Sequence, residues 1–506
     1  MMQNSIKLSL AAAVGGKSRI CASDGDLKVA YLCVESHCEN RVYVIYFLPK
    51  KGDGMMMNRK IYDKLLQWKL RDAPRYALMI DGARRVGKSY IAEEFAKAEY
   101  KAYVLIDFSK VKKDVKDLFE DYLDELETFF MLLQNKLGVV LPRGESLIIF
   151  DEVQRFPRAR EAIKHLVKDG RYHYLETESL ISINAKAKEI LLPSEELRIK
   201  MYPMDFEEFL WATGHEIMMP MIADYFQRRK PLGNALHRQV MDIFRQYMVV
   251  GGMPQAVQEF VNTHDLSLVD RTKRGILNIY RGDIQKYSGR LVERVEGIWD
   301  EIPGLLSRHE KRFRPAVLGK GVRMRDCKDA FQWLKDAMTV NLCYNSTEPN
   351  IGLKLNLDHS YLKCYMGDTG LLISHSFDEN ELAVEDIHRR ILFDRLELNE
   401  GMLVENVVAQ MLVAAGRKLY FHVQKSKNEA QKRMEIDFLI AKSKIQRRKN
   451  LSALEVKSGK NYTLTSLKKC VEKYRQYMDV PYVLHSKDLE EKGGIVYLPL
   501  YMAPCL

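Results

Sequence analysis

The stretch Tyr76-Ala77-Leu78-Met79-Ile80-Asp81-Gly82-Ala83-Arg84-Arg85-Val86-Gly87-Lys88-Ser89-Tyr90 joins an apolar run to a glycine-bounded basic loop, and a helical pattern follows to Tyr100. The apolar run has the length and composition of a buried strand. Gly82 to Ser89 satisfy GxxxxGK[ST] in the strand–loop–helix context that gives this pattern its meaning. Each position has its own physical task. The glycines let backbone N–H groups approach phosphate oxygens, and the helix start adds a partial positive charge. Lys88 can reach the β- and γ-phosphates, and the Ser89 hydroxyl can ligate magnesium. The expected nucleotide-binding set is therefore Gly82, Ala83, Arg84, Arg85, Val86, Gly87, Lys88 and Ser89, with ATP and Mg2+ as cofactors.

A second strand-like run, Leu147-Ile148-Ile149-Phe150, ends in Asp151-Glu152. Beyond a phosphate loop, such a pair reads as a division of labour: Asp151 holds the magnesium shell, and Glu152 orients and polarises the attacking water. Two more runs fit the same sheet, Tyr103–Phe108 and Tyr172–Thr177, and Leu197–Met201 would close it. Thr177, at a strand end, is the expected sensor of the γ-phosphate. Strands alternating with helical patterns predict a parallel, doubly wound α/β domain.

These residues resemble a family of prokaryotic AAA-type ATPases whose nucleotide domain precedes a C-terminal domain of unknown function related to restriction endonucleases. The resemblance runs from about Asn58 to the C-terminus and is carried by GARRVGKS, LIIFDEVQ, YPMDFEEF at 202–209 and YMVVGGMP at 247–254. It implies an AAA-like core with five parallel strands. One departure stands out: Glu178 follows Glu176-Thr177 where the family usually has glycine, and an added carboxylate there would slow hydrolysis. Arg155, Arg158, Arg160 and Arg171 are candidates for an arginine finger. AAA-like cores often need a neighbour's arginine, so a homo-oligomer is among the expectations.

Further along, periodic apolar residues from Phe206 to Met248, broken by Gly251-Gly252-Met253-Pro254, predict helices over 204–290. They read as a lid over the nucleotide or as a helical spacer. Residues 291–380 read as a winged-helix-like domain, with an amphipathic helix over Asp329–Met338 and a hairpin of Leu353–Leu357 with Tyr361–Tyr365. Arg308, Lys311, Arg312, Arg314, Lys320, Arg323 and Arg325 stand against Glu310 in this segment. Clustered bases of this kind either follow a phosphate backbone, making DNA the expected partner, or form a solvated or packing surface.

The last segment, 381–506, holds Glu405 on a helix, Asp437 on a strand, and Glu455 and Lys457 on a second strand. Two acids followed one residue later by lysine resemble the D…ExK pattern of restriction-endonuclease-like folds. Period-2 geometry puts Glu455 and Lys457 on one face. The expectation is that Glu405, Asp437 and Glu455 hold a metal while Lys457 positions or activates water. Lys444, Arg447, Arg448 and Lys449 fit a nucleic-acid groove or an ordinary charged hairpin tip.

Composition is compatible with this layout. At about 150 residues per domain, 506 residues leave room for several cores. With 46% hydrophobic and 29% charged residues and no apolar run of about 18, an integral membrane protein is excluded. A net charge of +11 favours polyanionic partners. Eight cysteines without CxxC spacing read as reduced thiols, and a cytoplasmic location is expected. Residues 1–54 differ from the rest and run into Met55-Met56-Met57, which suggests a later start, with the leader disordered or not native. A small hairpin around Val42–Leu48 is the alternative. The predicted organisation is thus leader 1–54, P-loop core 55–203, helical lid 204–290, winged-helix-like domain 291–380 and nuclease-like domain 381–506.

Overall fold

The computed structural model describes residues 18–22, 29–36, 39–46, 57–179, 193–308, 310–350, 352–377, 381–392, 400–424, 433–442, 449–459 and 462–506. The chain divides into two units, Met1–Met57 and Asn58–Leu506. In the first, β1 (Ser18–Ala22), β2 (Val29–Ser36) and β3 (Glu39–Tyr46) form an antiparallel sheet in that order. The Val, Tyr and Ile residues of β2 and β3 are typical strand formers, and β3 overlaps the stretch read as the alternative hairpin.

The second unit begins with the helix Ile61–Arg71 and a five-stranded parallel sheet. Its strands are β4 (Ala77–Gly82), β5 (Ala102–Asp107), β6 (Ser146–Asp151), β7 (His173–Glu178) and β8 (Glu196–Met201), arranged β5-β6-β7-β4-β8. All neighbouring pairs are parallel, as the five-stranded expectation requires. Every residue of β4 and β6 is buried, the signature of a sheet covered on both faces. One face packs an aromatic cluster of Phe108, Phe119, Phe129, Phe130, Phe150 and Tyr174. Each such side chain contributes roughly 2 kcal/mol by burial, enough to fix the helices Lys113–Asp121 and Leu126–Leu137 against the strands.

Helices follow at Phe206–Ala212, Met218–Gln227, Asn234–Val250, Pro254–Thr263 and Leu266–Tyr287. Asp205 and Glu208 start the first of them with a reciprocal capping box. After the helices Val292–Leu306 and Met324–Asp336, β9 (Val340–Ser346) pairs antiparallel with β10 (Leu357–Met366). The hairpin predicted from Leu353–Leu357 is thereby corrected. Leu353–Asn356 is a short 3-10 turn in which Leu353 is buried and Leu355 is 85% exposed, and Val340–Ser346 supplies the first strand.

The middle and C-terminal segments share a sheet. Beyond the helix Glu400–Ala414 come β11 (Tyr420–Gln424) and β12 (Met434–Ile436), and β11 lies parallel to β9, giving the order β10-β9-β11-β12. The boundary drawn at 380/381 therefore crosses paired strands. A second sheet runs β13-β14-β15-β17-β16, from β13 (Phe438–Ala441), β14 (Leu451–Val456), β15 (Tyr482–His485), β16 (Glu490–Lys492) and β17 (Ile495–Pro499). The run expected as one strand over 435–440 is divided at Asp437, where the chain passes from one sheet to the other. Among the described residues, no helix is long and apolar enough to cross a membrane.

Candidate active site

At the C-terminal end of β4 the loop turns through Arg85 at φ 69° and Gly87 at φ 96° before Lys88 opens the helix Lys88–Glu99. Gly87 takes a left-handed conformation that a Cβ would strain. The ammonium of Lys88 is buried and donates to the carbonyls of Gly82 and Ala83, both at 3.0 Å. Burial lowers its pKa to about 8, against the attraction of Glu152, Asp151 and Asp81. An ammonium so poorly solvated gains strongly from an anionic phosphate.

Two of the predicted groups converge on the Asp151 carboxylate. Ser89 donates its hydroxyl hydrogen to Asp151 Oδ1 at 2.6 Å, and Thr177 donates to the same oxygen at 2.5 Å. The Glu152 backbone N–H donates in turn to the Thr177 hydroxyl at 3.2 Å. Burial pushes the Asp151 carboxyl up, while its two hydroxyl donors pull it back. Glu152 sits at φ 53°, a left-handed conformation costly for a non-glycine residue, as catalytic loops often hold. Its carboxylate accepts from Gln154 Nε2 at 2.6 Å and from Ser179 Oγ at 3.1 Å. The hydroxyl of Ser89 and the carboxylate of Asp151 are the hard oxygen donors that magnesium prefers.

Sequence reading missed the groups that hold this loop. Arg59 is buried; it donates to the Val86 carbonyl at 2.8 Å and the Tyr202 carbonyl at 2.7 Å, and pairs with Glu208 at 3.1 Å. Arg84 pairs with Asp283 at 2.7 Å, and Tyr280 donates to the Arg84 carbonyl at 2.8 Å. Both partners lie more than a hundred residues away, so no local spacing marks them. Glu178 lies on the opposite face of β7 from Thr177 and meets Arg160 at 3.5 Å and Arg198 at 3.8 Å. Burial raises its pKa to about 7. Of the arginine-finger candidates, Arg160 also binds Glu196, Arg158 meets Glu120 and Glu161, and Arg171 meets Asp169 and Glu127.

In the C-terminal segment the predicted acids come together, but with unforeseen cations among them. Lys363 of β10, 1% exposed, reaches Glu435 at 3.1 Å, Glu405 at 3.2 Å and Asp437 at 3.7 Å. Lys311 pairs with Glu405 and donates to the Gly401 carbonyl at 3.0 Å. Tyr365 also donates to Glu405, at 2.5 Å. Burial would push the Glu405 carboxyl up, yet Lys363 and Lys311 hold it at about 2. Lys457 pairs with Glu455 at 2.5 Å, and the Val456 N–H donates to Asp437 at 2.9 Å. Glu455 Oε1 is buried without a hydrogen-bond partner, and burial together with Asp437 raises this carboxyl to about 7.

The expected three-acid metal shell is corrected accordingly. Among the described residues no group of three His, Cys, Asp or Glu is arranged to hold a metal ion. Glu405 is committed to two ammoniums and a phenol, Lys363 also reaches Asp437, and Lys457 pairs with Glu455, whose second oxygen has no hydrogen-bond partner. A lysine amid the apolar residues Leu362, Cys364 and Tyr365 was the available sequence signal. In the basic run, Lys311 is withdrawn to Glu405, and Arg312 covers the Tyr361 ring and pairs with Glu310, whereas Arg308, Lys320 and Arg323 are exposed. Lys444, Arg447 and Arg448 lie outside the described residues.

An AAA domain family matches residues 74–210, a domain of unknown function (DUF8612) matches 241–381, and another (DUF4143) matches 400–502. No curated protein matches the sequence. Similar solved structures include the Walker-type ATPase of Pyrococcus abyssi, at 14% identity and TM-score 0.37, covering 63% of this chain and 96% of that one. AMPPCP-bound DnaA from Aquifex aeolicus has 12% identity and TM-score 0.25, covering 67% and 94%. A STAND signal-transduction ATPase with a tetratricopeptide repeat sensor from Pyrococcus horikoshii has 11% identity and TM-score 0.25, covering 70% of this chain and 48% of that one. The AAA match and the assembled loop, acids and threonine support a P-loop AAA-type ATPase domain with a nucleotide-binding function.

Proposed function

We propose that this chain is a Mg-ATP hydrolase whose nucleotide state controls a C-terminal nuclease-like domain that acts on or holds DNA. The observation that carries the ATPase half is the convergence of Ser89, Asp151, Thr177 and Glu152 beside the buried Lys88. Lys88 binds the β- and γ-phosphates, Glu152 orients and deprotonates the attacking water, and Thr177 ties the position of Glu152 to that of Asp151. Ser89 and Asp151 would hold magnesium, which supplies charge neutralisation on the phosphates.

Support for transmission to the C-terminal domain comes from a buried chain of contacts. Gly252 carries no Cβ, and one there would lie 2.1 Å from the Met204 carbonyl oxygen. Its N–H donates to Asp368 at 2.5 Å; Gln410 Nε2 donates to the same carboxylate at 3.2 Å and to the Tyr247 hydroxyl at 3.1 Å. Gln410 and Glu405 share the helix Glu400–Ala414, so movement of the lid helix Asn234–Val250 bears on the acidic site.

The nuclease-like reading rests on element order: a helix bearing Glu405, Asp437 just before β13, the antiparallel strand β14 bearing Glu455, then the helix Thr465–Lys473 and the parallel strand β15. The winged-helix-like reading rests on the helix Met324–Asp336 followed by the β9–β10 hairpin. Exposed Arg308, Lys320 and Arg323 favour a phosphodiester partner. We assign the protein to the cytoplasm, where ATP is available, and take a homo-oligomer as the source of any arginine finger.

The lysine-filled acidic site favours a second reading, a nucleotide-dependent switch or scaffold whose nuclease fold is catalytically idle and recognises protein. A DNA cleavage assay with magnesium or manganese, with and without ATP, beside Asp437→Ala and Lys457→Ala, separates the two. Cleavage lost in both variants supports the nuclease; ATP turnover without cleavage or salt-sensitive DNA binding supports the scaffold.

A further inference from the structure

Four carboxylates, Glu405, Glu435, Asp437 and Glu455, face three ammoniums, Lys311, Lys363 and Lys457. Two of the ammoniums come from outside the C-terminal segment. Lys363 lies on β10 and Lys311 follows the helix Val292–Leu306, so the site is assembled by two stretches of chain that match different families. Lys363 is held there by more than charge: its ammonium also lies 5.2 Å from the centre of the Phe421 ring. A buried ammonium with three carboxylates has little reason to leave.

A divalent ion bound at Asp437 and Glu455 would add two positive charges to a site where three are already fixed against four negative ones. Its electrostatic gain is then much smaller than in a bare acidic site. Resting on the reading of these acids as a cation site, we propose that Lys363 and Lys311 are built-in cations that compete with a divalent metal, so that the resting chain binds one only weakly. Lys363 offsets part of the charge of Glu405, Glu435 and Asp437 from within, and Lys311 adds a second cation on Glu405. Any event that draws the middle segment away from the helix Glu400–Ala414 raises metal affinity.

The test is Mn2+ titration of the nucleotide-free, full-length chain, followed by electron paramagnetic resonance of the free ion. Lys363→Met is expected to bind Mn2+ about tenfold tighter than the parent, and adding Asp437→Asn should remove that gain. Equal affinity of parent and Lys363→Met, both lost with Asp437→Asn, would overturn the competition while leaving the cation site standing. A gain that survives Asp437→Asn would overturn the cation site and the competition with it. Should the buried Met not be accommodated, Lys311→Met decides in its place: tighter Mn2+ binding supports the competition, and unchanged binding overturns it.

Discussion

Arg84 of the phosphate loop and Asp283 of the helix Leu266–Tyr287 are ion-paired at 2.7 Å, so the nucleotide cradle and a helix beginning 177 residues after Ser89 in sequence hold one another directly. Asp283 is the more buried partner, and its second oxygen lacks a hydrogen-bond partner. Asp283→Ala should loosen the cradle without unfolding it. The expected result is release of a fluorescent ATP analogue about fivefold faster, the scale of roughly 1 kcal/mol for a pair with one partly exposed member. Stopped-flow displacement measures it.

Arg59 acts at a deeper level. Its guanidinium joins the loop carbonyl of Val86 to Glu208 and the Tyr202 carbonyl, and all of these contacts are lost in Arg59→Ala. Removing one partner of a buried ion pair costs about 3–5 kcal/mol, because the other charge is left uncompensated. Urea unfolding should show a large fall in midpoint, with Arg59→Lys intermediate.

The buried acids predict a pH dependence. Burial raises Asp81 to about 6 and Glu178 to about 7, despite Arg160 beside both. Asp81, Glu196 and Glu152 oppose ionisation of Glu178, and Arg198 lies beside it. A carboxyl whose pKa is higher when folded binds more protons in the native state. Its contribution is therefore present below the unfolded value near 4 and lost as pH rises through about 7. The contribution of Glu178 should fall between pH 5 and 8, so Glu178→Gln should gain in urea midpoint relative to the parent as pH rises over this range. A difference between the two that is constant over this range would contradict the assignment.

Gln410 tests transmission. Gln410→Leu removes its donation to Asp368 and Tyr247 while leaving every group at the phosphate loop in place. Phosphate release should remain within about twofold, whereas any ATP-dependent change in hydrogen exchange along the helix Glu400–Ala414 should disappear.

The nucleotide site was legible because its parts are local. Gly82 to Ser89 lie on one strand–loop–helix, Asp151-Glu152 end a buried strand, and parallel pairing brings Thr177 to Asp151. The C-terminal site was only half legible. Its acids lie on elements with clear periodicity, but Lys363 and Lys311 arrive through strand pairing and packing across long sequence separations. The hairpin error has the same origin: alternating leucines at 353, 355 and 357 mimic a strand, while tertiary packing chose Val340–Ser346 to pair with β10.

Phosphate release and nucleotide binding by the parent chain, Lys88→Ala and Glu152→Gln test the central claim most directly. Hydrolysis by the parent, loss of nucleotide affinity in Lys88→Ala, and binding without turnover in Glu152→Gln are predicted. Undiminished phosphate release in both variants would contradict it.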